Sequence, residues 1–188
     1  MASGQEFTVP AAKYLIEQFS SQDIEVLFDH GDPKSSDKVG KIVSWFGPEY
    51  KSPYKPLQLA NLDIAVVSQE SGLTLALIEI EDTTDGVKTL LGDVLGTLLG
   101  SGIALGTDRQ LRVGSWTTLV VLGNAKSRQH QSQYQDRVAF LNEQSNQIRA
   151  HLSTPNASVG RVIVDTFVDQ SELNAKLLSY CGEITGAS

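Results

Sequence analysis

The stretch LANLDIAVVSQESGLTLALIEIE, residues 59–81, decides the fold. Two apolar segments, Leu59–Val67 and Leu73–Glu81, are separated by the polar residues 69–72, a pattern typical of a β-hairpin. Both alternating faces of the second segment are mostly apolar, which predicts a central strand that is buried on both sides. One of these faces turns acidic at its end, because side chains two residues apart share a face: Leu73, Leu75, Leu77, Glu79 and Glu81.

The hairpin also brings in a third acid. A turn centred near residues 70 to 71 pairs residues whose numbers sum to about 141 or 142. In the register of 142, Asp63 lies opposite Glu79 with Cβ atoms about 5 Å apart, and Asp63, Glu79 and Glu81 converge. Carboxylates at a buried strand end are costly to desolvate, and a divalent cation is the simplest compensation. We therefore predict Asp63, Glu79 and Glu81 as ligands of Mg²⁺ or Mn²⁺, and a solvated acidic rim is the alternative.

The rest of the chain predicts alternating helices and strands. The order is helix, strand, hairpin, helix, strand, helix, strand, helix, which predicts an α/β fold with a mixed central sheet flanked by helices. We expect one domain over residues 1–188. The predicted helices are Val9–Phe19, Val87 to about Leu105, Arg128–Leu152 and Ser171–Tyr180; the remaining strands are Ile24–Phe28 (or a further helical turn), Lys41–Phe46, Thr117–Leu122 and Val159–Phe167.

Two local signals accompany these elements. Pro10 suits the first turn of the first helix, and Ser171 lies where the cap of the last helix is expected. Gly92, Gly96 and Gly100 recur every four residues in the apolar second helix. Glycine is unfavourable in a helix, so this recurrence predicts close packing against the sheet.

The acidic motif resembles that of a known enzyme group. Asp63, followed sixteen residues later by Glu79-Ile80-Glu81, is similar to the motif of the PD-(D/E)xK, or restriction endonuclease-like, nuclease superfamily. The element order from about Val9 to Phe167 is also similar to that superfamily's core. The resemblance implies a restriction-endonuclease-like core in which Asp63 and Glu79 bind the metal, and it implies magnesium-dependent hydrolysis of DNA phosphodiester bonds.

The sequence departs from the motif at two places. Asn61-Leu62 stands where a proline would precede Asp63, and Glu81 occupies the position of the motif lysine, which helps to place or deprotonate the attacking water. Some members of the superfamily carry glutamate there, and in others the lysine has moved to the following helix. Lys88 is therefore a candidate catalytic residue, although a helix-surface pair with Asp85 is the alternative.

Two further alternatives stay open. Glu17 on the first helix is either a fourth carboxylate of the site or an ordinary exposed glutamate. The whole cluster is either active or a relic, in which case the chain is a catalytically inactive nuclease-fold protein that serves as a binding or interaction module for a partner protein or nucleic acid.

The distribution of charge permits DNA binding only at one basic segment of the chain. The net charge of −7 argues against broad nucleic-acid binding, but residues 33–58 carry five lysines against two acids. Aromatic residues interleave with these lysines and either stack on bases or fold the loop over the core: Trp45, Phe46, Tyr50, Lys51, Tyr54 and Lys55. Arg109 and Arg112 either reach a phosphate backbone or are plain turn residues.

The remaining features concern compartment and assembly. Cys181 is the single cysteine, which excludes an internal disulfide and favours a reducing, cytoplasmic compartment, with the thiol buried on the last helix. No apolar run approaches a membrane span and the first ten residues do not resemble a signal peptide, so we expect no membrane partner. The scattered histidines lack metal-ligand spacing, and the sequence leaves a homodimer open.

Overall fold

The structure is a computed structural model that describes residues 5–29, 41–47, 57–82, 86–106, 109–126 and 130–185. Its helices are α1 (Gln5–Gln18), α2 (Val87–Leu98), α3 (Gln131–His151) and α4 (Gln170–Thr185), with a 3-10 helix at Pro155–Ser158. Its strands are β1 (Ile24–Phe28), β2 (Ile42–Phe46), β3 (Leu57–Leu62), β4 (Ile64–Ser68), β5 (Thr74–Glu81), β6 (Gly102–Leu105), β7 (Arg109–Leu111), β8 (Thr118–Asn124) and β9 (Arg161–Phe167).

The central sheet is mixed, as the sequence predicts. Its strand order is β1-β4-β5-β8-β9, with antiparallel pairing from β1 to β5 and parallel pairing from β5 to β9. Helices α1 and α4 pack on one face and α2 and α3 on the other, so each face carries its own apolar core. Strand β5 lies in the middle of this sheet with both faces covered, which confirms the reading of its two apolar faces.

A second sheet was not predicted. Its strand order is β3-β2-β6-β7. The strand before Asp63, β3, belongs to this second sheet, whereas the strand after it, β4, belongs to the central sheet. The expected continuous strand Leu59–Val67 is therefore wrong, because β3 ends at Leu62 and β4 begins at Ile64. Alternation alone cannot detect this change of sheet, since apolar residues continue on both sides of Asp63.

The second helix is shorter than predicted. Helix α2 ends at Leu98, and residues 102–105, which were expected to be helical, form β6 against β2. A Cβ atom on Gly100 would lie 2.1 Å from Ser44 Oγ, and one on Gly102 would lie 2.3 Å from the Trp45 ring. Gly100 and Gly102 therefore allow the chain to leave the helix and approach β2 closely. The apolar periodicity of the sequence continues past Leu98, which is why a longer helix was predicted.

The three glycines of the predicted stripe differ in their surroundings. A Cβ on Gly96 would lie 2.7 Å from the Leu59 carbonyl oxygen, so Gly96 does allow α2 to pack closely on β3. Gly100 lies beyond the helix, and a Cβ on Gly92 would meet no described atom outside its own helix within 4 Å. Only one glycine of the stripe therefore sets the packing distance of α2.

The remaining elements differ from expectation mainly at their ends. Helix α1 begins at Gln5, so Pro10 lies inside the helix rather than in its first turn. Helix α4 is capped by Asp169 rather than Ser171, because Asp169 Oδ1 accepts a hydrogen bond from the Glu172 N–H at 2.9 Å. Cys181 is buried in α4 as predicted, and burial raises the pKa of its thiol to about 12. None of the described helices is both long and apolar enough to cross a bilayer.

Candidate metal centre

Asp63 lies at the bend between β3 and β4, where the chain passes from one sheet to the other. Its N–H donates to the Ile78 carbonyl at 3.0 Å, and its own carbonyl accepts from the Asp29 N–H at 3.0 Å. The residue is 6 % exposed, and its Oδ2 accepts a hydrogen bond from the Ile80 N–H at 2.8 Å. The Asp63 carboxylate is therefore fixed beside the peptide unit that separates Glu79 from Glu81.

The strand register agrees with the predicted one near the site. Residues 64 to 66 pair with residues 78 to 76, a sum of 142, and a bulge shifts the register only at Val67, which pairs with Thr74. Asp63 precedes this ladder by one residue and so faces Glu79. The bulge lies at the turn end of the hairpin and leaves the acidic end undisturbed.

Glu79 is held in an unfavourable environment for a charge. Its Oε2 atom is enclosed and has no hydrogen-bond partner among the described residues, although part of the residue faces solvent. Burial raises the pKa of Glu79 well above its usual value, and the negative charges of Asp63, Asp93 and Glu81 raise it further. A hydrogen bond that involves the Asp63 backbone opposes this shift without reversing it.

Asp93 is a site residue that the sequence analysis missed. It lies on α2, three residues after Leu90 and four before Thr97, both of which are buried. Its Oδ2 is also enclosed without a hydrogen-bond partner in the described part of the chain. Burial, then Glu81 and Asp63, raise the pKa of Asp93 to about 7. An acid inside the inner stripe of an apolar helix is the signal that would have identified it.

The other predicted site residues lie in different positions. Glu81 is half-buried at the end of β5 and acts electrostatically on both Glu79 and Asp93. Lys88 has an exposed side chain in the first turn of α2, and its catalytic role stays a prediction; its alternative partner Asp85 lies outside the described residues. Glu17 is exposed on α1, which packs on the sheet face opposite to the acids.

The oxygen-rich composition of the cluster suits a hard divalent cation, which prefers carboxylate ligands. Glu79 Oε2 and Asp93 Oδ2, two enclosed carboxylate oxygens for which the described part of the chain supplies no donor, are the kind of atom that such a cation satisfies. Over the residues that the structure describes, no group of three or more His, Cys, Asp or Glu side chains is placed so that it could hold a metal ion.

The candidate nucleic-acid residues are largely engaged elsewhere. Trp45 is buried against Gly102, whereas Phe46 is 55 % exposed. Arg109 pairs with Glu25 at 2.9 Å, and Arg112 donates to the Ser71 carbonyl at 3.2 Å. Both arginines thus bond to their own chain. The rest of the basic, aromatic loop lies outside the described residues: Tyr50, Lys51, Tyr54 and Lys55.

The chain is thus a mixed α/β protein with a cluster of four carboxylates at one end of its central sheet. No family model matches it, and no solved structure matches it. It is similar to the tRNA modification GTPase MnmE of Chelativorans sp. (strain BNC1), with 38 % identity over 66 residues. That match covers 34 % of this chain and 15 % of the relative, and this chain has no Walker lysine with which to bind a nucleotide phosphate.

Proposed function

We propose that this chain is a nuclease-like protein that uses Mg²⁺ or Mn²⁺ to hydrolyse DNA phosphodiester bonds. The observation that carries the proposal is the position of Asp63. Its carboxylate is fixed by the Ile80 N–H opposite Glu79, whose Oε2 is enclosed and has no hydrogen-bond donor among the described residues. This arrangement supports Asp63 and Glu79 as ligands of the cation.

Each acid has a distinct part in this proposal. The rigid placement of Asp63 at the strand junction defines one side of the cation position, and Glu79 defines the other. Glu81 is two residues further along the same strand face, where it acts as a further ligand or orients the attacking water. When bound, the cation lowers the pKa of its water and offsets charge that develops on the phosphate.

The topology supports a restriction endonuclease-like core within this proposal. Helix α1 leads into the antiparallel strands β1, β4 and β5, and α2 then leads to β8, which is parallel to β5. Asp63 immediately precedes the middle strand of this meander, and Glu79 is near the end of its last strand. The second sheet, β3-β2-β6-β7, is an addition around this core.

A second candidate function is favoured by the position of Glu81. A glutamate in place of the motif lysine removes the positively charged side chain that would assist the attacking water. The side chain of Lys88, the candidate replacement, is exposed. The candidate is a nuclease-fold protein that has no catalytic activity and binds a protein or nucleic-acid partner.

The test is nicking of supercoiled plasmid in millimolar Mn²⁺ or Mg²⁺ by the whole chain. Asp63→Asn retains an oxygen acceptor for the Ile80 N–H, and Glu79→Gln retains the side-chain size, so both variants are expected to fold. We expect each to lose at least about a hundredfold in rate, since an electrostatic element of the transition state is lost. The control Glu17→Gln removes an exposed acid from the opposite face and is expected to leave the rate unchanged.

Two results would overturn the nuclease proposal. Nicking that survives in both Asp63→Asn and Glu79→Gln would arise from another site or from a contaminant. A wild-type chain that binds Mn²⁺ but cleaves neither plasmid nor single-stranded DNA would favour the interaction module.

A further inference from the structure

Strand β9 lies at the edge of the central sheet, where it pairs with β8. The Phe167 carbonyl accepts a hydrogen bond from the Ala125 N–H at 2.7 Å, so the backbone groups of the odd-numbered residues face β8. Those of the even-numbered residues Val162, Val164 and Thr166 therefore point away from the sheet. Outward backbone groups along an edge strand are a template for pairing with a further strand.

Two asparagines of α3 bond to these outward groups. Asn146 bonds to Val162 twice, since its Oδ1 accepts from the Val162 N–H at 3.0 Å and its Nδ2 donates to the Val162 carbonyl at 2.8 Å. Asn142 Oδ1 accepts from the Val164 N–H at 2.8 Å. A carboxamide that accepts from the N–H and donates to the carbonyl of one residue makes the two bonds that a residue of a neighbouring strand would make.

The spacing of the asparagines matches that of the groups to which they bond. Four residues advance a helix by about 6.0 Å, and two residues advance a strand by about 6.6 Å. Asn142 bonds to the later strand residue and Asn146 to the earlier one, so α3 runs antiparallel to β9. Arg149, nearly one turn further along α3, continues the row by donating to the Val159 carbonyl at 2.7 Å. One face of α3 thus follows β9 as an added strand would.

Thr166, the last of the outward residues, is bonded by other side chains. Its N–H donates to Asp165 Oδ1 at 2.7 Å, and its carbonyl accepts from Lys176 Nζ of α4 at 2.7 Å. Side chains rather than a strand therefore bond to each outward N–H of β9.

The edge of β9 is itself well suited to pairing with a second copy of this chain. Its centre is Val162, Ile163 and Val164, three β-branched residues of the kind that favours strands. In an antiparallel pair with Ile163 on a two-fold axis, Val162 and Val164 of the two copies exchange backbone hydrogen bonds. Arg161 then faces Asp165 of the partner subunit, and opposite charges at directly facing positions stabilise a strand pair.

We propose that Asn142 and Asn146 are a cap that keeps the edge of β9 closed to β9 of a second copy. The cap prevents the chain from joining its central sheet to that of another molecule, so the two asparagines control assembly. None of the residues involved belongs to the acidic cluster, and the cap is therefore independent of the proposed cation site and of the nuclease proposal.

The double variant Asn142→Ala/Asn146→Ala removes the cap, and sedimentation velocity over a range of protein concentrations measures assembly. Three outward groups of Val162 and Val164 lose their partners, and a second copy can satisfy them. We expect the variant to form a dimer with a dissociation constant at least about tenfold below that of any wild-type dimer. The control Gln135→Ala/Gln147→Ala removes two exposed amides from the same helix and is expected to behave as the wild type does.

Hydrogen exchange at the Val162 and Val164 amides identifies the surface that pairs. In the double variant we expect both amides to exchange rapidly at low concentration and to regain protection as the dimer forms. Asn142→Ala alone is a milder variant that opens only the Val164 N–H, and we expect from it a smaller gain in dimerisation.

Two results would overturn the cap. If Asn142→Ala, alone or with Asn146→Ala, folds but remains monomeric while the Val164 amide exchanges rapidly, the asparagines only fasten α3 to the sheet. If a dimer forms in which the Val164 amide stays unprotected, the two copies pair through another surface.

Discussion

Asp165 and Glu79 are both on parallel strands of the central sheet, on opposite faces, and they have opposite surroundings. Asp165 on β9 accepts a hydrogen bond from the Tyr180 hydroxyl at 2.6 Å and pairs with Lys176 at 2.8 Å. Burial acts to raise the pKa of Asp165, but these bonds outweigh burial and lower it below its usual value. At Glu79, by contrast, burial and three neighbouring carboxylates all raise the pKa.

The difference lies in what the neighbouring helix supplies to each carboxylate. Helix α4 supplies both Lys176 and Tyr180 to Asp165, and Lys176 also donates to the Thr166 carbonyl at 2.7 Å. Helix α2 supplies Asp93 to the hairpin acids and so adds a like charge. Negative charges that are brought together destabilise the fold unless a positive charge compensates them. That contrast is the physical basis for expecting a cation on one face of the sheet and none on the other.

The largest expected effect is stabilisation by metal. Mn²⁺ at a hundred times its dissociation constant adds about 2.7 kcal/mol to the free energy of unfolding, which raises the melting temperature of a chain of this size by about 5–10 °C. Glu79→Gln is expected to abolish the increase. Asp165→Asn is expected to have a lower melting temperature without metal but to show the same increase when Mn²⁺ is added. If Asp165→Asn also lost the increase, the contrast between the two sites would be removed.

The next effect concerns the compensated site. Lys176→Met leaves Asp165 with Tyr180 but without its positive partner, and we expect the free energy of unfolding to fall by about 2 kcal/mol. Both partners are partly exposed, which keeps the loss below that of a fully buried pair. Urea denaturation measures it. Arg161→Met breaks an exposed pair with Glu183. If Lys176→Met costs no more than Arg161→Met, the Asp165 network contributes little.

The two sites also show how far the sequence could predict this structure. The hairpin register and the neighbourhood of Asp63 and Glu79 followed from strand alternation and a four-residue turn, because both are local rules. The position of Asp93 could not be predicted in this way, because it depends on the tertiary contact of Gly96 with β3. The break at Asp63 and the end of α2 at Leu98 were missed for the same reason: apolar residues continue across both, and the switch between sheets is decided by packing.

A smaller effect is the pH dependence of the metal-free protein. The folded pKa of Asp93 is raised to about 7, so the folded state binds a proton more tightly than the unfolded chain does. The stability from this group is fully present below the unfolded value of about 4 and is lost as the pH rises to about 7. Allowing for solvent screening, we expect a loss of about 1–2 kcal/mol.

Denaturation of the chelator-treated protein from pH 4 to pH 8 measures that loss. Asp93→Asn is expected to flatten the pH profile and to be more stable than the wild type at pH 7.5. Asp165→Asn is expected to lower the stability without changing the shape of the profile over this range, because the stability given by the lowered pKa of Asp165 is lost only as the pH falls below the unfolded value of about 4. Identical profiles for Asp93→Asn and the wild type would show that Asp93 is not repelled by its neighbours.

The smallest expected effect tests whether α2 is placed by one glycine. A Cβ on Gly92 would meet no atom of the described residues beyond its own helix within 4 Å, so Gly92→Ala is expected to stabilise the protein by about 0.5–1 kcal/mol through helix propensity alone. Gly96→Ala gains the same propensity, but its Cβ meets the Leu59 carbonyl oxygen at 2.7 Å, so we expect a net loss. Because relief of that clash moves α2 away from β3, Gly96→Ala is also expected to weaken Mn²⁺ binding, whereas Gly92→Ala leaves it unchanged. Equal Mn²⁺ affinity in the two variants would mean that the distance between α2 and β3 does not control the position of Asp93. The electrostatic contrast with Asp165 would then depend on the hairpin acids alone.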